Sequence, residues 1–303
     1  MLYTDAKSFT RNGFTIIPNV LSEDEVKSSR SVIKKILSNM PVKKRMLFIS
    51  DIFNDNDLTK LLISCQFSDK ITTVLNEIFN NEFTYINDLQ IQCSMFGIAS
   101  GGWHFDANSE VNLQSGEYLH DDNYSFAKVG VYLQDNTFDF GGGIDVIPRS
   151  HKVFRNFRGN KLLQYFYARI MSKFIRMTEK FTSLSVPIKA GDAVVFDSRI
   201  LHRSSFPNGI ISSMSDEEKL AERVSFQTMS ADHAKYSLYW EAGRQRDAIS
   251  FLENSCKRAM AEEILSEDPN REMFYTDYLR YSFPNDFPDF YEEKVDSVQG
   301  LSI

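Results

Sequence analysis

The spacing of apolar residues changes character along the chain. Phe14-Thr15-Ile16-Ile17-Pro18 reads as a short strand, and Ser22-Glu23-Asp24-Glu25 then reads as a capping box with acidic side chains on the positive end of a helix. Val26, Ile33, Ile36 and Leu37 supply the buried stripe of that helix. A second amphipathic helix is predicted from Ser68 to Phe79, stopping before Asn80-Asn81. From Phe83 onward the pattern is strand-like: Tyr85 to Ile98, the alternation Val129-Gly130-Val131-Tyr132-Leu133, and the compact run Ala193-Val194-Val195-Phe196. Gly141-Gly142-Gly143 and Pro187 to Asp192 supply turns. Short strands flanked by helical ends predict a mainly β protein, a barrel or jelly roll with helices outside. The expected organisation is one catalytic domain over residues 1–303. Helical support occupies 1–82 and a β core 83–230, with insertions at 107–126 and 152–183; a helical C-terminal segment of 231–303 ends in an aromatic, acidic tail.

Composition narrows the classes. With 303 residues and 42% hydrophobic content the chain can bury a large core, and no Pro/Gly/Ser-rich tract or internal repeat divides it. A net charge of -7 gives no reason to expect nucleic-acid binding. Cys65, Cys93 and Cys256 lack CxxC spacing, which argues against a disulfide framework or structural zinc and fits a reducing cytoplasm. The opening MLYTDAKSFTRNGF lacks a secretory signature, and no apolar run approaches the roughly 18 residues that span a bilayer. A cytoplasmic protein without stable membrane insertion is therefore expected. Lys152 to Lys180 departs from the acidic background, with eight Lys or Arg and one acid, Glu179. It reads either as a solvated outer face or as a cap whose cations meet an anionic substrate or, as the lesser alternative, a membrane surface.

The candidate chemistry lies in His104-Phe105-Asp106 and His202. Two imidazoles and a carboxylate can occupy one face of a six-coordinate ferrous ion and leave three positions for oxygen chemistry. Side chains two apart on a strand share a face, so His104 and Asp106 can converge on one ion, with His202 arriving from a neighbouring strand. A second His-x-Asp, His120-Asp121-Asp122, lies in a polar stretch without a strand signal upstream.

The chain resembles the phytanoyl-CoA dioxygenase family of iron(II)- and 2-oxoglutarate-dependent oxygenases. The resemblance rests on Phe9-x-x-x-Gly13-Phe14 with Ile16-Ile17-Pro18 and Leu21-Ser22, on Trp103-His104-Phe105-Asp106, and on Gly142 through Lys152 (GGIDVIPRSHK). It continues in Gly191-Asp192, His202-Arg203-Ser204 and Asn208. It implies a double-stranded β-helix, a cupin-like jelly roll, in which His104, Asp106 and His202 hold Fe(II). It also implies an arginine that grips the far carboxylate of 2-oxoglutarate, matched by Arg223 in Glu222-Arg223-Val224-Ser225-Phe226, with Ser204 adding a hydroxyl. Two departures stand out. Arg149 replaces the family's usual glycine before Ser-His, and Arg223 lies farther beyond His202 than is common, which keeps Arg199 and Arg203 as alternatives. Gln90 and Gln92 alternate with Asp88 on the strand leading to His104; they read as cosubstrate partners or as the polar face of an edge strand. His151 matches a turn residue that shapes the barrel, and His233 lies past the expected last strand.

With one carboxylate ligand, ferrous iron remains formally +1 and can be chelated by a dianionic 2-oxo acid, with O2 as the second cosubstrate. The resemblance implies oxidative decarboxylation to succinate and carbon dioxide, followed by hydroxylation of a small-molecule substrate, and the carboxylate of Asp106 favours hydroxylation over halogenation. Lys128, Arg149, Arg155 and Arg158 make an anionic substrate the expectation. Two other classes compete: a non-catalytic jelly-roll protein that binds an acidic partner through its basic cap, and a non-oxidative metal-dependent cupin. Arg223 argues against the second, because a plain Lewis-acid site needs no clamp for another carboxylate.

Overall fold

A computed structural model of the chain describes residues 3–38, 46–48, 57, 61, 64–94, 103–106, 126–137, 141–152, 183–205 and 235–244. Its entrance is a short helix, α1 (Ala6–Asn12), which the apolar pattern had not indicated. Seven residues are too few to establish a helical period, but the ends are well specified. The Asp5 side chain accepts from the Ser8 N–H at 2.7 Å, and Gly13 closes the helix at φ 90°. Strand β1 (Phe14–Ile17) follows, and then α2 (Glu23–Ser38). The predicted capping box is present: the Ser22 N–H donates to Glu25 Oε2 at 2.7 Å, while Ser22 Oγ accepts from the Glu25 N–H at 3.3 Å. Helix α3 (Asp69–Phe79) ends at Asn80, in the left-handed region that the Asn-Asn pair anticipated.

The strands are β2 (Met46–Phe48), β3 (Phe83–Ser94), β4 (Phe126–Tyr132), β5 (Ile144–Val146), β6 (Leu184–Ser185), β7 (Ala193–Asp197), β8 (His202–Ser204) and β9 (Lys235–Arg244). They form two antiparallel sheets, one of six strands ordered β1-β7-β4-β9-β3-β2 and one of three ordered β6-β5-β8. This is a double-stranded β-helix, or jelly roll. Strand alternation gives the large sheet two apolar faces. Ala127, Val129, Val131, Ala193, Val195, Leu238 and Trp240 pack with Val26 and Ile33 of α2 and Ile71 and Leu75 of α3. On the other face Phe14, Tyr132, Val194, Phe196 and Tyr239 meet Ile144 and Val146 of the small sheet.

The expected start of a helical C-terminal segment at 231 requires correction, because residues 235–244 form a central strand between β3 and β4. Tyr236, Leu238, Trp240 and Ala242 fill the helix-side core, while Tyr239 fills the other. The run Tyr236-Ser237-Leu238-Tyr239-Trp240 alternates as a strand does, but it also sets Tyr236, Tyr239 and Trp240 at helical spacing, so its period is ambiguous. The rest of the expected C-terminal segment, 245–303, lies outside the described residues, as do most of the insertions at 107–126 and 152–183. Among the described residues, no helix is long and apolar enough to cross a membrane.

Candidate metal centre

His202 opens β8, where Val146 of β5 is its register partner. Residues 103–106 are tied to it by a two-bond backbone bridge: the His104 N–H donates to the His202 carbonyl at 2.9 Å, and the His202 N–H to the His104 carbonyl at 3.0 Å. The motif is thus carried on an isolated bridge beyond the end of β3. The bridge sets the two imidazoles side by side, ring centroids 4.3 Å apart, and brings Asp106 in between. His104 Nε2 lies 3.6 Å from Asp106 Oδ1 and His202 Nε2 lies 3.5 Å from Asp106 Oδ2. One ligand atom from each residue falls within 4.8 Å of the others. The His104 side chain is 47% exposed against 17% for Asp106 and 7% for His202, so the centre opens beside His104.

The protonation states suit a divalent ion. Burial pushes His202 down to about 4, so its ring is neutral at neutral pH. Its Nδ1 lies 3.0 Å from the Ile200 carbonyl, which can only accept; Nδ1 therefore carries the proton and Nε2 presents a lone pair to the centre. Burial acts to raise Asp106, but His202, Lys128 and His104 oppose it and hold the carboxyl below its ordinary value. Two nitrogens and one carboxylate oxygen, the last charged, fit iron(II).

Other predicted residues fall in varied places. Ser204 sits two positions after His202 on β8 and so shares its side of the small sheet. Gln92 is partly buried opposite Ser237, and Gln90 is in register with Tyr239. Both alternate with Ile91, whose side chain lies in the helix-side core, and β3 is not an edge strand, since β2 and β9 flank it. Lys128, expected among the cations that favour an anionic substrate, sits against Asp106. Its Nζ lies 3.2 Å from Asp106 Oδ2 and 3.8 Å from Glu241 Oε1, with 13% of the side chain exposed. Arg149 is exposed, and its backbone N–H donates to the Asn12 carbonyl at the end of α1. Arg199 is buried in a two-point pair with Asp197, with contacts of 2.9 and 2.6 Å, which engages the fork that a cosubstrate would need. Arg203 pairs with Asp145 at 3.1 Å and stacks 4.7 Å over Trp103; it alternates with His202 along β8 and so takes the opposite side. His151 is buried, with Nε2 3.3 Å from the Thr10 carbonyl and the ring packed where a side chain on Gly13 would stand. Arg223, Arg155, Arg158, His120 and His233 lie outside the described residues.

Sequence reasoning passed over Glu241 and the contact of Lys128 with Asp106. The available signal was a lysine at an inward position of the β4 alternation, between Phe126 and Gly130.

Fold and donor set fit one class in particular, the jelly-roll enzymes of the non-haem iron and 2-oxoglutarate type. More particularly, the family model for phytanoyl-CoA dioxygenase (PhyH) matches residues 9–208, and the chain belongs to that family. Its cofactor is Fe(II), with 2-oxoglutarate and O2 as cosubstrates. Ectoine dioxygenase of Nocardia farcinica (strain IFM 10152) is 22% identical over 220 residues, covering 65% of this chain and 70% of the relative. Among solved structures, the non-heme alpha ketoglutarate dependent carbocyclase SnoK from nogalamycin biosynthesis is 14% identical with a TM-score of 0.51, covering 79% of this chain and 82% of its own. The epimerase SnoN, in complex with Fe3+, alpha ketoglutarate and nogalamycin RO, is 14% identical with a TM-score of 0.50 and the same two coverages, 79% and 82%. These similarities give the fold.

Proposed function

We propose that the chain is a hydroxylase of its family, acting on a C–H bond of a small, anion-bearing organic substrate, with His104, Asp106 and His202 holding the iron. The observation that carries this reading is the convergence of the His104-x-Asp106 pair and His202, nearly a hundred residues further on, to within 4.8 Å at their ligand atoms. When bound, the iron supplies oxygen activation: 2-oxoglutarate is oxidised to succinate and carbon dioxide, taking one atom of O2, and the substrate takes the other as a hydroxyl. The protein's part is placement. His202 offers a neutral nitrogen held by Ile200, and Asp106 supplies one negative charge, so that the centre retains net positive charge for a dianionic oxo acid. Arg223 is assigned to the far carboxylate of that acid, Ser204 and the β3 glutamines to its polar surroundings, and Arg149, Arg155 and Arg158 to an acidic substrate.

Anaerobic titration with iron(II) and 2-oxoglutarate tests the ligand set through the weak visible charge-transfer band that chelation produces. Wild type and His120→Ala are expected to give the band, and His104→Ala to lose it. A band that survives in His104→Ala and disappears in His120→Ala would transfer the site to the other motif; none in wild type would remove the assignment. With acidic substrates, 18O2 incorporation into product then distinguishes hydroxylation from rearrangement without oxygen transfer.

A further inference from the structure

A lysine inside the barrel, against the carboxylate meant for a metal, is an expensive arrangement. An ammonium loses its hydration on burial, and a cation beside a ligand carboxylate also opposes the ion that the carboxylate must bind. Lys128 occupies an inward position of β4, whose outward positions Ala127, Val129 and Val131 belong to the helix-side core. Its register partner on β9 is Glu241, so pairing of the two strands places the carboxylate beside the ammonium. The side chains of Lys128, Asp106 and Glu241 are 13%, 17% and 15% exposed, all screened from water. Glu241 offsets the charge of Lys128, and what the pair leaves at the centre is a hydrogen-bond donor on one particular oxygen, Asp106 Oδ2 at 3.2 Å.

That donor bears on coordination number. Two imidazoles and one carboxylate oxygen leave three positions, the number that a chelating 2-oxo acid and dioxygen together require; a carboxylate binding through both oxygens would take one of them. We propose that Lys128, held by Glu241, is a positioning residue that engages Asp106 Oδ2 and so keeps Asp106 a one-oxygen ligand through Oδ1. The inference rests on the reading of His104, Asp106 and His202 as the iron ligands.

The test is anaerobic iron(II) affinity and the 2-oxoglutarate charge-transfer band in Lys128→Met/Glu241→Gln, which removes the donor without changing the net charge. Iron affinity is expected to fall by about 10- to 100-fold, the usual range for residues that orient a ligand, and the band to shift or weaken, whereas Lys128→Arg should keep both within a few-fold of wild type. A folded double variant with wild-type affinity and band overturns the proposal. So does one that loses 2-oxoglutarate affinity alone, which would make Lys128 a cosubstrate contact. Should the double variant not fold, Glu241→Gln carries the test: it leaves the ammonium uncompensated and must weaken iron binding relative to Lys128→Arg, and equal affinities overturn the idea. Absence of the band in wild type is a separate failure, that of the ligand assignment itself.

Discussion

At the scale of single residues, two positions show how local chemistry was set aside for the fold. Arg149 has φ 70°, the left-handed region, at the place where the family resemblance leads one to expect glycine. A side chain there costs about 1 kcal/mol or slightly more, so Arg149→Gly is expected to stabilise the protein by about 1 kcal/mol and raise the melting temperature by roughly 2 °C. A lower melting temperature would mean that the arginine makes contacts worth more than the strain. His151 is the second case: burial pushes its imidazolium down to about 4, from an unfolded value near 6.5. Between those values the unfolded chain binds a proton that the folded protein excludes. Stability is therefore fully present above about pH 6.5 and falls as pH drops toward 4, by an amount on the order of 3 kcal/mol. His151→Gln keeps a donor for the Thr10 carbonyl but cannot titrate, and melting temperatures measured across that window should fall less steeply for the variant than for wild type. Parallel slopes would show that His151 is not the group responsible.

At the scale of elements, a tight constraint lies in the packing of β4 against β9. Gly130 faces Tyr239 across the register, and a Cβ built on it would lie 2.5 Å from Tyr239 Cε1. The Tyr239 hydroxyl in turn donates to the Tyr132 hydroxyl at 2.8 Å inside the barrel. Gly130→Ala should displace that ring at a cost of about 1–3 kcal/mol, read in denaturant unfolding, and an unchanged midpoint would show that the ring can shift freely. The same pair of strands marks the limit of what the sequence makes legible. The α2 cap, the end of α3, the β4 and β7 runs and the His104-x-Asp106 motif could be read because each is local, resting on a period, a capping box or a short spacing. Strand β9 is ambiguous, since Tyr239 breaks its alternation and gives Tyr236, Tyr239 and Trp240 a helical spacing as well, and α1 could not be read because seven residues carry no period. The Lys128–Glu241 pair depends on register between strands far apart in sequence, which no local pattern encodes.

At the scale of the whole molecule, the six-stranded sheet is a wall shared by two cores, and β9 stands in its middle with residues in both. The candidate centre hangs on the same closure. Its ligands come from the bridge at 103–106 and from β8 of the small sheet, while Lys128, against Asp106, comes from β4 of the large one and its own partner Glu241 from β9. The three ligands sit on two bridged segments, but the Lys128–Glu241 pair reaches Asp106 only once the large sheet has closed over them. A chain ended after residue 234 loses Tyr236, Leu238, Trp240 and Ala242 from one core and Tyr239 from the other, and exposes the facing edges of β3 and β4. Such a chain is expected to show no cooperative thermal transition by circular dichroism and no anaerobic iron(II) binding. If residues from 231 onward were instead a helical appendage, the shortened chain would melt cooperatively and still bind iron, and that result would refute the central placement of β9.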